Sequence, residues 1–372
     1  MIAVHSDHVG SLLRPPDLLR ARERFAGGEI GRDALRAAED AAIDRAVALQ
    51  EEAGCEVITD GEMRRLSFQS QMTEAVEGFG EWDLDAFLWG HWRGEGLPAW
   101  DRERPARLGA VGRLARRRFL SVDEFLYLRD RTRRIAKVTL PSPGLFANFW
   151  SPERSRDAYP NLDDFLEDVA RILREEVAEL ARLGCAYIQI DAPHYPLLLD
   201  PQTRAFYEGQ GWSLDAWLSR GIALDNAVMG EHPGVTFGFH LCRGNQGSRW
   251  LVSGGYGPIA ERLFREIHAQ RLLLEFDDAR SGDFEPLRHV PKDRMVVLGL
   301  VTTKTPRLEP LEALSARVRE AARIIALDRL ALSPQCGFST SVIGNALTEE
   351  EQRAKLRRVA EAARRIWGES SR

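Results

Sequence analysis

Short apolar runs rich in β-branched residues alternate with longer amphipathic segments along most of the chain. Eight of these runs are predicted to be strands, and each is followed by sequence compatible with a helix. The predicted strands lie near residues 4, 56, 137, 187, 237, 273, 297 and 331. No change of composition and no linker marks a domain boundary within the 372 residues. The pattern predicts an α/β fold, a single (β/α)₈ TIM barrel over residues 1–372, rather than two doubly wound domains.

Three helices have distinct sequence signals at their ends or along one face. The segment from Arg32 to Glu52 carries an apolar stripe, and Gly54 just after it is typical of a helix end. Residues 162–183 are predicted to form another helix. Residues 349–367 are predicted to form the last helix, with Thr348 as its N-cap. Residues 66–130 break the alternation with tryptophans, glycines and a basic run. We therefore predict an insertion there, between the second and third strands, with its own helices or hairpin.

The overall charge excludes one class of function. There are 51 Lys and Arg residues against 56 Asp and Glu residues, a net charge of −5, so the chain lacks the basic footprint of a nucleic-acid-binding protein. No stretch approaches the ~18 apolar residues of a membrane span. His5 and Asp7 stand where a signal peptide needs an apolar run, so we expect a cytoplasmic protein.

The active site of a TIM barrel collects at the C-terminal ends of its strands. His240 and Cys242 end the fifth predicted strand at positions i and i+2, which point to the same side of an extended segment. Glu275 ends the sixth predicted strand and Cys336 the eighth. One imidazole, two thiols and a carboxylate suit tetrahedral Zn²⁺. The alternative is that both cysteines are small core residues and the histidine is hydrogen-bonded in the core.

Two further carboxylates end predicted strands at the same face. Glu62 and Asp191 can hold a substrate ammonium group or act as acid or base. The alternative is a structural salt bridge, for example from Glu62 to Arg64 or Arg65.

Two sequence features at other positions have simpler interpretations. Cys55 and Cys185 precede predicted strands, at the face that serves stability, and we expect both to be inert core residues. The Trp-rich segment 82–100 is interpreted either as a substrate lid or as surface packing of a long insertion.

Seven sequence segments together resemble a known family. In order along the chain they are HVGSLLRP, VITDGEMRR, YIQIDAP, HLCRGN, LLLEFDD, LGLVTTK and LSPQCGF. They resemble the C-terminal catalytic barrel of cobalamin-independent methionine synthase, and more closely the short single-barrel relatives of that enzyme in its wider superfamily with uroporphyrinogen decarboxylase. The resemblance covers nearly the whole chain and implies a zinc enzyme that alkylates a thiol.

The resemblance also implies roles for individual residues. Ser11 and Glu62 fall on positions that hold the homocysteine backbone, and Asp191 falls on an acidic residue that meets the amino group. The family's zinc ligands fall on four residues of this chain, which are His240, Cys242, Glu275 and Cys336.

Three departures from the family pattern concern a missing carboxylate, the proton donor and the methyl donor. Ala192 replaces a glutamate, and Thr302 and Lys304 replace an Asp-x-His pair with a proton-donor role, so Lys304 or water becomes the candidate acid. The full synthase has two barrels with the folate donor between them, whereas this chain has length for one. We therefore expect a donor other than polyglutamyl folate, such as a methylated corrinoid carrier protein.

These observations lead to one functional hypothesis and two alternatives. The hypothesis is zinc-dependent methyl transfer to homocysteine or a similar amino thiol, giving a methionine-type thioether. One alternative adds a coenzyme M-type thiol to an epoxide, but that acceptor has no ammonium for Glu62 and Asp191 to bind. The other is a non-catalytic barrel that binds zinc or a thiol.

Overall fold

The computed structural model describes residues 2–82 and 84–368. Seven strands form one parallel sheet, in the order β1-β6-β7-β8-β9-β10-β11, and two antiparallel pairs, β2 with β5 and β3 with β4, lie outside it. The parallel α/β architecture predicted from the sequence is confirmed. The strands are β1 (Val57–Ile58), β2 (Val76–Phe79), β3 (Gly90–Gly94), β4 (Leu97–Arg102), β5 (Ala110–Arg116), β6 (Ile135–Pro141), β7 (Tyr187–Asp191), β8 (Thr236–Leu241), β9 (Arg271–Glu275), β10 (Met295–Val301) and β11 (Leu330–Pro334).

Helices connect the parallel strands, and their ends follow the sequence signals. Gly54, in the left-handed conformation with φ 86°, ends the second helix as predicted. Thr348 and Glu351 form a reciprocal capping box at the start of the last helix. A π-helical turn over residues 217–221 joins the helices Leu214–Ala216 and Ile222–Met229. The helices are α1 (Pro16–Ala26), α2 (Arg32–Ala53), α3 (Ser70–Ala75), α4 (Val122–Arg129), α5 (Leu162–Arg182), α6 (His194–Leu197), α7 (Pro201–Gly209), α8 (Leu214–Ala216), α9 (Ile222–Met229), α10 (Gly257–Glu266), α11 (Leu311–Ala321) and α12 (Glu349–Trp367).

The first predicted strand, near residue 4, is reduced to a single parallel bridge. Ser6 pairs with Leu332 of β11, with hydrogen bonds of 2.9 Å from Asp7 N to Leu332 O and from Leu332 N to His5 O. On the other side the contacts to β1 are made by side chains: the Ser6 hydroxyl donates to Glu56. Residues 5–7 therefore lie beside the last strand, but side chains rather than a backbone ladder hold them toward β1.

A buried ion network fixes this N-terminal segment inside the curved sheet. The Asp7 carboxylate accepts from Lys137 Nζ at 2.9 Å, from the Tyr187 hydroxyl at 2.6 Å and from Arg271 Nη2 at 3.3 Å. The ion-paired side chains of Asp7, Lys137 and Arg271 are fully buried. Burial raises the pKa of Asp7, but the two cations outweigh it and bring the pKa down to about 2. Strands β6 and β9 are thus tied to the N-terminal segment by ion pairs, and β7 by the hydrogen bond from Tyr187.

The segment predicted as an insertion, residues 66–130, contains both helices and strand pairs. It begins with α3, continues through the antiparallel strands β2–β5 and ends with α4. Residue 83, within this segment, lies outside the described residues. In the part that the structure describes, the segment thus contains both helices and antiparallel strand pairs, and its interpretation as an insertion stays a prediction.

Within residues 2–82 and 84–368, every helix is too short or too polar to cross a membrane.

Replacing the buried carboxylate tests the importance of the ion network. Asp7→Asn leaves two cations buried without a counter-charge, and we expect the free energy of unfolding to fall by about 3–5 kcal/mol. Because the native pKa of about 2 lies below the unfolded value, this stabilisation is present above about pH 4 and lost as the pH falls toward 2. Urea unfolding at pH 7 and pH 3 measures both effects. Asp17→Asn, on the exposed face of α1, should change stability by under about 0.5 kcal/mol; equal effects of the two variants would contradict the prediction.

Candidate active site

Six of the eight residues predicted for the site line one pocket at the C-terminal ends of the parallel strands. The pocket has a volume of about 870 Å³, including its open mouth. The chain brings these residues together because parallel strands all end at the same edge of the sheet. The six residues are Ser11, Glu62, Asp191, His240, Cys242 and Cys336.

Three of them form a compact, buried cluster of potential metal ligands. One ligand atom from each of His240, Cys242 and Cys336 lies within 4.8 Å of the other two. His240 Nδ1 lies 3.2 Å from the carbonyl oxygen of Leu273, a contact that leaves Nε2 as the nitrogen with a free lone pair. Nε2 is buried and has no hydrogen-bond partner within the described part of the chain. One imidazole nitrogen and two sulfurs fit the ligand chemistry of Zn²⁺.

The two cysteines of the cluster differ in the pKa of their thiols. A hydrogen bond with Cys336 lowers the pKa of Cys242 well below its ordinary value, whereas the same contact raises the pKa of Cys336. The contact therefore favours the thiolate on Cys242 over that on Cys336, and the thiolate is the form that binds metals.

Glu275, the fourth predicted ligand, lies next to this cluster but outside it. Its Oε2 accepts from the backbone N–H of Arg243 at 2.7 Å, directly after Cys242 in the chain. Its Oε1 accepts from Arg280 Nη2 at 2.7 Å and from Lys304 Nζ at 3.4 Å. The carboxylate is completely buried and held by two cations. Its assignment as a zinc ligand stays a prediction.

Lys304, the candidate acid, also lies behind the pocket and is not among the residues that line it. Its ammonium group lies 3.4 Å from Glu275 Oε1 and 3.8 Å from Asp277 Oδ2. This geometry favours a charge-pairing role for Lys304 over proton donation to a substrate in the pocket.

Glu62 has one free carboxylate oxygen and an unusual backbone conformation. Its Oε1 accepts from the Thr139 hydroxyl at 2.8 Å and from Arg65 at 3.3 Å, so the predicted salt bridge exists. Its Oε2 is buried and unpartnered among the described residues. The backbone φ of 57° is costly for a non-glycine residue, and such strain is typical of functional sites. One oxygen therefore fixes the side chain while the other remains for a ligand.

Asp191 is positioned by residues that the sequence analysis did not single out. Gln189 Nε2 donates to Asp191 Oδ1 at 2.7 Å and to the Val9 carbonyl, and Lys137 Nζ donates to Gln189 Oε1 at 2.9 Å. Burial raises the pKa of Asp191 to about 7. Tyr187, Gln189 and Asp191 occupy alternate positions of β7 and so share one side of the strand, a polar periodicity that could have identified them.

Ser11 reaches the pocket because glycine follows Cys336. A Cβ atom placed on Gly337 would lie 1.9 Å from the Ser11 hydroxyl oxygen, so no larger residue fits there. The Ser11 carbonyl accepts from Phe338 N at 2.9 Å. This close approach brings a hydroxyl beside the cysteine cluster.

The Trp-rich segment contributes directly to the pocket. Trp89 and Trp92 line it, and both indole N–H groups are satisfied inside the protein. Trp89 Nε1 donates to the Asn148 side chain at 2.9 Å, and Trp92 Nε1 to the Leu88 carbonyl at 2.9 Å. This arrangement favours the interpretation of the segment as a cover over the site rather than as remote surface packing.

Comparison with known proteins now decides the family. Residues 147–365, more than half of the chain, match the model of the catalytic domain of cobalamin-independent synthase. The chain belongs to this family. At family level it is therefore similar to methionine synthases, methyltransferases that use a thiol substrate and a methyl donor.

Individual relatives of the cobalamin-independent synthase family match almost end to end. The uncharacterized protein YxjH of Bacillus subtilis is 35% identical over 368 residues, 97% of this chain and 94% of YxjH. Methionine synthase of Pyrococcus abyssi is 25% identical over 338 residues, 89% of this chain and 85% of that protein. A structure provisionally described as the vitamin-B12 independent methionine synthase of Listeria monocytogenes superposes with a TM-score of 0.73 at 29% identity, covering 99% and 100% of the two chains.

Alkylation by iodoacetamide tests the electrostatics of the four cysteines. In metal-free protein at pH 7, Cys242 should react first because its pKa is lowered and it lines the pocket. Cys55 and Cys185, whose pKa burial raises to about 12, should stay unmodified until the protein unfolds. Peptide mass spectrometry after timed labelling measures the order. Similar rates at all four cysteines would contradict it, and Cys242→Ala provides the matched control.

Proposed function

We propose that this protein is a zinc-dependent methyltransferase that alkylates homocysteine or a similar amino thiol. The observation that carries the proposal is the placement of the His240, Cys242 and Cys336 cluster in the same pocket as two carboxylates, Glu62 and Asp191. The family membership supports the same reaction class.

His240, Cys242, Cys336 and, before substrate binds, Glu275 would hold the metal. When bound, Zn²⁺ would lower the pKa of a coordinated thiol and keep the sulfur as a nucleophilic thiolate. The protein environment supports this because the cluster is buried, with exposure of 6% or less for each of the three residues.

The remaining pocket residues orient the acceptor. Glu62 Oε2 has no hydrogen-bond partner among the described residues and Asp191 lines the same pocket, so the two carboxylates can bind an ammonium group between them. The Ser11 hydroxyl beside Gly337 can donate to the acceptor carboxylate. Fixing the amino-acid end in this way holds the sulfur near the metal ligands, which is a proximity effect. A sulfonate-bearing thiol of the coenzyme M type offers nothing for these carboxylates to bind.

The donor is proposed to enter beneath the Trp-rich segment. Trp89, Trp92, Leu145 and Leu251 form an apolar wall of the pocket, which suits the methyl group and the adjoining part of its carrier. A methylated folate and a methylated corrinoid are therefore the two methyl-donor arms of the functional experiment.

We further infer the complete architecture from the partial strand at the N-terminus. Residues 5–8 would serve as the first strand and complete a single (β/α)₈ barrel domain, with residues 66–130 as its insertion.

Metal analysis and a donor screen test the proposed function. Purified protein should bind about one zinc per chain, and Cys336→Ser should lose most of it, whereas Cys185→Ala should retain it because Cys185 is outside the cluster. Zinc-loaded protein is then incubated with homocysteine and methyl-folate, methylcobalamin or an epoxide, and thioether products are measured. Absence of zinc binding, or of product from every donor, would overturn the proposal.

Charge-removing variants test the acceptor site. We expect Glu62→Gln and Asp191→Asn each to raise KM for homocysteine about 10–100-fold, because a hydrogen bond to a charged group contributes about 1.5–3 kcal/mol. The control is 4-mercaptobutanoate, which is homocysteine without its amino group. Its KM should change much less in both variants; equal changes for the two thiols would argue against ammonium binding by these carboxylates.

A further inference from the structure

The charged cluster of Glu275, Arg280 and Lys304 lies behind the proposed metal ligands and suggests where a displaced ligand is held. Glu275 Oε1 is held by Arg280 and Lys304, and Oε2 by the backbone N–H that follows Cys242. The carboxylate is fully buried, and the ammonium of Lys304 is nearly so. This is a complete binding site for a carboxylate that is not bound to a metal.

We propose that Arg280 and Lys304 are positioning residues that hold Glu275 in the place it occupies after a substrate thiol has displaced it from zinc. The proposal rests on the zinc-dependent function above and assigns Lys304 a role other than that of an acid. It concerns the equilibrium between two positions of Glu275, one on the metal and one on the two cations.

Both cations have a buried carboxylate beside them when Glu275 is in the position that the structure shows. Arg280 also pairs with Asp277 at 2.6 Å and with the half-exposed Asp278 at 3.2 Å, and Lys304 lies 3.8 Å from Asp277. Without Glu275, Arg280 would therefore keep two carboxylates, whereas Lys304 would keep only the more distant Asp277. If Glu275 turned to the metal, Lys304 would lose its nearer counter-charge in a dry environment, and that loss has a cost.

The two cations matter because the Glu275 carboxylate, once displaced, has no access to water. A buried carboxylate without a partner costs several kcal/mol, so displacement by a thiol would be unfavourable without the two cations. In the exchange, the thiol would release its proton to water, a Glu275 oxygen would leave zinc, and the substrate sulfur would take its place. The charge of the metal's ligand set would stay the same, because one anionic ligand replaces another. The displaced carboxylate would stay in the buried region, where Arg280 and Lys304 face it.

Lys304→Met tests the proposal because it removes the charge and keeps the length of the side chain. We expect zinc to bind about tenfold more tightly in the absence of thiol, since Glu275 loses its alternative partner, and homocysteine to bind about tenfold more weakly. Competition with a chelator measures the first quantity. The sulfur-to-cobalt absorption of the Co²⁺-substituted protein during homocysteine titration measures the second. Opposite changes distinguish this role from structural damage, which would weaken both.

Two further variants provide the controls. Lys304→Arg keeps the cation and should restore both affinities most of the way. In the Glu275→Gln background, Lys304→Met should have little effect on zinc affinity, because the residue through which it acts is neutral. If Lys304→Met leaves both affinities unchanged or lowers both, the proposal fails while zinc-dependent transfer stands. If the unaltered protein binds no zinc, both proposals fail.

Discussion

The buried pairing of Asp7 with Lys137 and Arg271 is the constraint on which the rest of the structure depends. Residues 5–7 make only one bridge to β11, so backbone hydrogen bonds alone do not fix them. Charge fixes them instead, because the Asp7 carboxylate is buried between two cations from β6 and β9. Since each ion would be costly to bury alone, the three groups must assemble together, and the N-terminal segment is positioned with them.

This network continues into the active site. Lys137 donates to the Gln189 side chain as well as to Asp7, and this contact sets which end of the Gln189 amide faces Asp191. The N-terminal segment also leads directly to Ser11, which packs against Gly337. The part of the pocket lined by Ser11 and Asp191, where we propose that the acceptor binds, is thus held by the same interactions that hold the sheet together, which supports a rigid site.

The part of the pocket where we propose a metal is organised by a different principle. Two sulfurs and one imidazole nitrogen lie together, and the other imidazole nitrogen is hydrogen-bonded behind them. The carboxylate of Glu275 lies apart on Arg280 and Lys304. A centre that exchanges a ligand for a substrate needs one weakly held position and a place for the displaced group. The structure provides such a place, and the proposed thiol chemistry uses it.

The sequence by itself determined the parallel α/β architecture, the helix caps at Gly54 and Thr348, and the residue types of the candidate site. These follow from local rules of periodicity and capping, and from the fact that parallel strands end at one edge. It did not determine that the first strand would shrink to a bridge, or that Lys304 would face Glu275 and not the pocket. The position of the N-terminal segment and that of the Lys304 side chain both depend on pairing between buried charges distant in the chain. Only the tertiary structure decides which of these charges meet.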